Sequence, residues 1–334
     1  MKDKIKKWII TNTRRFISPY LIFCSLVCFI VTLLPWWPSF DSLIILKYIL
    51  LFGPRWWLLI VVLFILLGWY VLSKQQKIMF FILILLSFNY LDFQLPQFWH
   101  GNSSGKEIKI ISANIGGGGS KEVIQLLVAI EQPDILLLQE ARKINLPKLF
   151  GEQYFSECVS GLCIVSKYPF ENTDSLSRKI FGGWGQFARF YKIDILGKEV
   201  LLANIHLETP RSALMSILYL SPDQALAERV ESNRELEANL LNLWAENKPY
   251  TIIAGDFNMP ADENLYQQNF SMLNNALEVK GFAFNRTKYT SWHGVKIDHI
   301  LYSDGISLSS VEVVELVKGD HRPVMATLVI KAVE

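Results

Sequence analysis

The sequence predicts an α/β domain preceded by an apolar, α-helical transmembrane region. Three observations carry this. Strand-like and helix-like stretches alternate from residue 106 to 331; the first hundred residues hold three long apolar stretches; and four apolar runs in the remainder each end on carboxylate, amide or imidazole groups.

The front of the 334-residue chain is of a different kind from the rest. Tyr20 to Trp37 is almost uncharged and long enough to span a bilayer as a helix, and Trp57 to Leu72 and Ile78 to Phe93 sit near the lower length limit. No small-residue cleavage site follows the first stretch, and two more apolar segments do, so a membrane anchor with about three spans over 1–93 is expected rather than a signal peptide. Lys2, Lys4, Lys6, Lys7, Arg14 and Arg15 favour a cytoplasmic N-terminus, and Lys74 and Lys77 a cytoplasmic loop between the second and third spans. Three spans then put the remainder on the extracytoplasmic side, a layout that suits a bacterial inner membrane. Leu43 to Phe52 is apolar but short and contains Lys47; it is expected to lie at the interface, although Lys47 and Arg55 fit poorly on an outer face, and if it crosses the membrane instead the count becomes four and the domain faces inward. Trp36, Trp37, Trp56 and Trp57 suit membrane interfaces.

Charge divides along the same boundary. Residues 1–100 hold ten Lys or Arg against three Asp or Glu; the remainder holds 23 against 28. The remainder therefore lacks the positive excess of many nucleic-acid binders, although part of its negative charge belongs to the clusters described below. Cys24 and Cys28 read as apolar filler in the first span. Cys158 and Cys163 flank a turn and are either a cross-strand disulfide or two buried thiols, and no zinc-type spacing occurs.

Residues 94–106 carry the breaker residues of a linker, leaving 107–334 as the soluble domain. Strands are expected at 109–114 and 134–139, with helical spacing over 121–130 between them. Residues 186–206 read as two strands joined at "LGK", and further strands at 250–255, 297–302, 307–315 and 324–331. Ser221 through Asn247 is the clearest helix, with Ser221 as cap, Pro222 in the first turn and Gln224 completing a capping box. The glycines at 116–119 lack the Walker A spacing and read as a turn.

Glu140 ends the apolar run "DILLLQE", where a lone carboxylate is costly unless paired or metal-bound. Asp256 and Asn258 in "GDFN" are two apart, so an extended chain points both to one face. Asp298 is a candidate carboxylate to fix the tautomer of His321, and His206 closes another strand. Hard oxygen donors with two histidines suit Mg²⁺-assisted attack of water on a phosphate ester, and Mn²⁺ fits the same donors.

These strings resemble the endonuclease/exonuclease/phosphatase superfamily, the DNase I-like phosphoesterases, over residues 106–331. "ISANIGG" resembles its first strand, "PDILLLQE" its second, "GLCIVSKYP" its glycine-strand-serine-basic-Pro segment, "KIDHILYS" its aspartate strand and "GDHRPVMATL" its terminal Asp-His signature. The resemblance implies a four-layered α/β/β/α sandwich. It implies Glu140 as main metal ligand, with Asn114 and Asp320 also on the metal side. It assigns Asp256 to the attacking water, Asn258 to the transition state, and His206, Asp298 and His321 to catalysis.

His299 stands where the family often has an aromatic residue and is expected to pack; His293, Arg189, Arg211 and Trp292 are left outside the catalytic set. A nuclease is the leading expectation, a phospholipid head-group phosphodiesterase or phosphatase the alternative. A third reading is a non-catalytic membrane binding module. The partners expected are the bilayer and a phosphodiester substrate, with no obligate protein partner.

Overall fold

The computed structural model describes residues 2–38, 40–97, 105–116, 121–141, 150–151, 153–315 and 318–331. Most of the expected linker and of the 116–119 glycine turn lies outside the described residues.

Alternation of apolar side chains decides the layering. In β1 (Lys106–Asn114) Ile108 and Ile110 face one way while Ile111 and Ala113 face the other; in β2 (Ile135–Gln139) Ile135 and Leu137 oppose Leu136 and Leu138. Strands apolar on both sides must be covered on both. One six-stranded sheet runs β13 (Ile306–Val313), β14 (Val324–Ile330), β1, β2, β4 (Leu162–Ser166), β3 (Phe155–Val159), with β1 and β2 parallel and the other neighbours antiparallel. The second runs β5 (Phe170–Ser177), β6 (Gln186–Ile195), β7 (Lys198–His206), β8 (Thr251–Asp256), β12 (Asp298–Tyr302), β9 (Asn274–Asn275), with β7 and β8 its parallel pair.

Face to face, the sheets share a core in which Ile110, Ile135 and Leu137 meet Tyr191, Leu202, Ile252 and Ile300. Ile124 and Leu127 of α5 (Lys121–Glu131) cover the outside of the first sheet. Ala238, Leu241 and Ala245 of α7 (Gln224–Ala245) cover the second. The result is the four-layered α/β/β/α sandwich. The start of α7 differs from the sequence expectation: Asp223, not Ser221, is the N-cap and accepts from Leu226 N at 3.0 Å. Its carboxylate reaches an orphan amide of the first turn, and Pro222 is left outside the helix.

Before the sandwich come α1 (Lys2–Thr32), α2 (Ile44–Phe52), α3 (Trp57–Leu63) continuing as 3-10 turns to Val71, and α4 (Lys74–Tyr90), capped by a Ser73–Gln76 box. One face of α1 (Ile17, Leu21, Cys24, Cys28, Val31) is buried against its neighbours, while Phe16, Ile22, Phe23, Leu26, Phe29 and Ile30 are exposed. Thr11–Thr32 is long and apolar enough to cross a membrane; Asp41–Phe52 and Trp57–Val71 form a pair bent by 80°. α4, at 17 residues, sits at the short end of spanning lengths. Ser25, Thr32 and Ser87 each donate to the carbonyl four residues back, which satisfies their hydroxyls without water.

α2 does not stand free. It packs on α6 (Arg211–Leu218) and α7, in a cluster joining Tyr48 and Leu51 to Ala213 and Ala227. Lys47 is buried and ion-pairs with Glu231. Arg55 is buried and grips Asp262 through both carboxylate oxygens, at 2.7 and 2.9 Å. The two cations that fit poorly on an outer membrane face are thus paired with carboxylates of the sandwich.

Candidate active site

The strand directions bring the chemistry to one edge. β1, β2, β7 and β8 run in the same sense within their parallel pairs and end at Asn114, Gln139, His206 and Asp256. β12 is antiparallel to β8 and begins there, with Asp298 paired to Asp256. The chain entering β14, antiparallel to β1, carries Asp320 and His321.

Asp256 Oδ2 lies among these groups: Asn114 Nδ2 donates to it at 2.9 Å, and His206 Nε2 and His321 Nε2 each lie 3.8 Å away. Asn114 Nδ2 is also 3.3 Å from Glu140 Oε1, which lies 3.7 Å from His206 Nε2. Asp298 binds His321 Nδ1 at 2.9 Å, placing the Nδ1 proton on the carboxylate side and turning Nε2 toward Asp256. The Asp298 backbone N–H is held in turn by Thr287 Oγ1 at 3.0 Å.

Asn258 N donates to Asp256 Oδ1 at 2.9 Å, and Asn258 Nδ2 to Leu207 O at 2.9 Å. Glu140 and Asn258 both have left-handed backbones, φ +54° and +50°. Such conformations cost about 1 kcal/mol in a non-glycine residue and aim each side chain out of its strand line. Gly116 belongs to the same construction: a Cβ there would sit 2.2 Å from Glu140 Oε2.

Electrostatics follow from burial. Asp256 and Asp298 are each 2% exposed and side by side, so burial and then repulsion raise the Asp256 carboxyl above its usual range, against the pull of His321 and His206. Burial works against a charged His321, but Asp298 and Asp256 outweigh it and lift the imidazole to about 9. Asp256, Asp298 and His321 present ligand atoms within 4.8 Å of one another, which is close enough for one ion. The ligand atoms are carboxylate oxygens and imidazole, since Asn114 turns Nδ2 to the carboxylates while its Oδ1 accepts from Gly116 N at 2.9 Å, and three carboxylates gather where an anionic phosphate would have to enter. Both features fit a hard divalent cation, which Glu140 with the neighbouring carboxylates would hold.

Asp320 is placed differently from the rest: it ion-pairs with Lys288, which keeps its carboxyl low despite partial burial, and it lies outside that three-residue group. Lys288 belongs to a small hairpin, β10 (Lys288–Tyr289) and β11 (Gly294–Val295), whose Lys288 also bridges to His321. His299 is fully buried beside Phe257 and Tyr266, contacts Met259 O at 2.9 Å, and is pushed down to about 4 by burial and Lys296. His293 contacts Phe52 O at 2.9 Å, and Arg189 pairs with Glu157.

Several residues around the site carry no sequence signal of their own. Arg178 binds the buried Glu237 and donates to His206 O at 2.8 Å. Asn204 bridges the sheets beneath the site, accepting from Gln139 Nε2 at 2.8 Å and donating to Cys163 O at 2.9 Å. Polar residues inside apolar strands are the one hint available for Gln139 and Asn204; Arg178 has none. Cys158 and Cys163 are disulfide-bonded across β3 and β4.

The fold recurs in solved structures. An endonuclease/exonuclease/phosphatase from Beutenbergia cavernae DSM 12333 shares 14% identity over 68% of this chain and 72% of that one, TM-score 0.50. The 3′ phosphatase NExo from Neisseria, solved with a product DNA hairpin, shares 20% over 66% and 98%, TM-score 0.53. A truncated TDP2 from Caenorhabditis elegans shares 18% over 67% and 98%, TM-score 0.50. No curated protein matches the chain. The model of the Endonuclease/Exonuclease/phosphatase family matches residues 111–321, which runs from β1 to His321 and takes in the whole edge where these residues meet. This chain therefore belongs to the endonuclease/exonuclease/phosphatase family.

Proposed function

We propose that the protein is a membrane-anchored, divalent-metal-dependent phosphoester hydrolase, acting first of all on nucleic-acid phosphodiesters. The observation that carries this is the convergence of Asn114, Glu140, His206, Asp256, Asn258, Asp298 and His321 on one edge of the sandwich. A bound cation, Mg²⁺ or Mn²⁺, would neutralise the phosphoryl oxygens and acidify a water. Asp256, its basicity raised by burial, accepts the proton of the attacking water. His321, charged at neutral pH, presents Nε2–H to the phosphoryl oxygens, with Asp298 fixing the ring. Asn258 adds an amide donor and His206 faces the leaving oxygen.

The anchor reading is supported by the exposed apolar face of α1, which water would not tolerate at that size. A disulfide favours an oxidising compartment, hence an extracytoplasmic site with the basic N-terminus inside.

A phospholipid substrate is favoured by one specific contact. The β10–β11 hairpin bridges to His321 at its base, while Trp292 and His293 at its tip meet Trp56 and Phe52 O of the anchor. The site is one hairpin away from the membrane segments.

The test is Mg²⁺-dependent product release by the full chain in detergent or proteoliposomes, offered plasmid DNA and phospholipid vesicles in parallel. DNA cleavage that drops by about 10²–10⁴-fold in His321→Ala supports the nuclease. Head-group release with the same loss supports the lipid reading, and activity indifferent to His321 refutes both.

A further inference from the structure

The loop after β8 carries Asn258 and continues through Asp262 and Glu263 into α8 (Asn264–Phe270). Its anchor point is Arg234 of α7, which is 0% exposed. Arg234 Nη2 donates to Asn258 O at 2.9 Å, and its two terminal nitrogens take the two oxygens of Glu263 at 2.7 Å each. Nη1 also reaches Glu231 Oε2 at 2.8 Å.

This cluster does not balance within the sandwich. Arg234 alone faces two carboxylates, Glu231 and the fully buried Glu263. The second cation comes from the anchor: Lys47 of α2 ion-pairs with Glu231 and lies 3.9 Å from Glu263 Oε1. Tyr48, next along α2, donates to Glu231 Oε2 at 2.8 Å and lays its ring 5.5 Å from the Arg234 guanidinium. Two further holds grip the same loop. Arg55 clasps Asp262 with two hydrogen bonds, and Asn264 Nδ2 donates to Trp37 O at 2.9 Å.

We propose that Arg234 is a positioning residue for Asn258, and that the docked α2 locks it through Lys47 and Tyr48, so that the anchor sets the geometry of the catalytic loop. A buried cluster of two cations and two anions is rigid when complete. Removing Lys47 leaves Glu231 and Glu263 sharing the one guanidinium of Arg234, a buried excess of negative charge that the loop relieves by moving. Asn258, tied to Arg234 through its carbonyl, is the residue of the site that this movement displaces.

The kinetic arm of the test rests on the hydrolase reading above; a second arm does not. The full chain in detergent is compared with Lys47→Met, Lys47→Arg and the double change Lys47→Met with Glu231→Gln. Turnover is followed with bis(4-nitrophenyl) phosphate and Mn²⁺, and hydrogen exchange over residues 256–263. Lys47→Met is expected to lower kcat by roughly 10- to 100-fold with KM within about twofold, and to speed loop exchange. Lys47→Arg should keep both near wild type, and the double change should recover most of the loss because it removes the orphaned charge with its partner. Wild-type loop exchange in Lys47→Met would overturn the coupling. So would unchanged kcat against an active wild type, or failure of Glu231→Gln to rescue. A wild type inactive on every ester would sink the hydrolase reading alone, since loop exchange still decides the coupling.

Discussion

Asp256 Oδ2 has an asparagine amide and two imidazoles around it, and a second aspartate beside it. That arrangement sets a pH dependence. In the metal-free fold His321 titrates at about 9, against an ordinary 6.5. A group raised in the fold stabilises it fully below the unfolded value and loses that contribution as pH rises through the folded one. Stability in EDTA should therefore fall by about 3 kcal/mol between pH 6.5 and 9.5, and His321→Gln should flatten that fall. Denaturant titrations across that range check it, and a slope unchanged by the substitution would refute the assignment. At this scale the sequence shows Asp256, Asn258 and His321 because each belongs to a dense local string. The Lys288–Asp320 and Arg234–Glu263 pairs are invisible there: the partners lie 32 and 29 residues apart and no spacing rule joins them, whereas Glu231, three residues before Arg234, is within helical reach.

Elements explain what the strings cannot. Apolar runs make β1, β2, β7 and β8 legible, since short stretches rich in Ile, Leu and Val, such as Ile135–Gln139, have one good use. The β10–β11 hairpin has strands of two residues and no period to read, yet it links His321 to the N-terminal helices. The 3-10 turn Arg178–Phe181 is similar: it ties the end of β7 to α7 through Arg178, His206 O and the fully buried Glu237. Arg178→Met strands that carboxylate and should cost about 3 kcal/mol. Adding Glu237→Gln should return most of it, as read by chemical denaturation in detergent. Equal loss in the single and double variants would mean that the pair contributes nothing specific. α2 is ambiguous in hydropathy, because an apolar helix with one lysine fits an interface and a docking seam alike.

Across the whole molecule, charge is arranged so that a cation completes it. The residues beyond 100 carry 28 acidic against 23 basic groups, and Glu140, Asp256 and Asp298 gather at one edge of the sandwich. A divalent ion binding only the folded chain adds about 2.7 kcal/mol at a hundred times its dissociation constant. Mg²⁺ or Mn²⁺ should accordingly raise the melting temperature, and Glu140→Ala should abolish most of the rise. An equal shift in the variant would place the ion elsewhere.

The seam between α2 and α7 changes what it means to take this protein apart. Ala213, Ala227 and Ile297 of the sandwich lie in the same buried cluster as Tyr48, Leu51 and Leu58 of the N-terminal helices. A chain cut before residue 105 would thus carry an open wound: an apolar face without its cover, and Glu231, Glu263 and Asp262 without Lys47 and Arg55. Solubility tags or detergent would mask the face without returning the charges. The enzyme worth purifying, crystallising or screening is the one that keeps its helices.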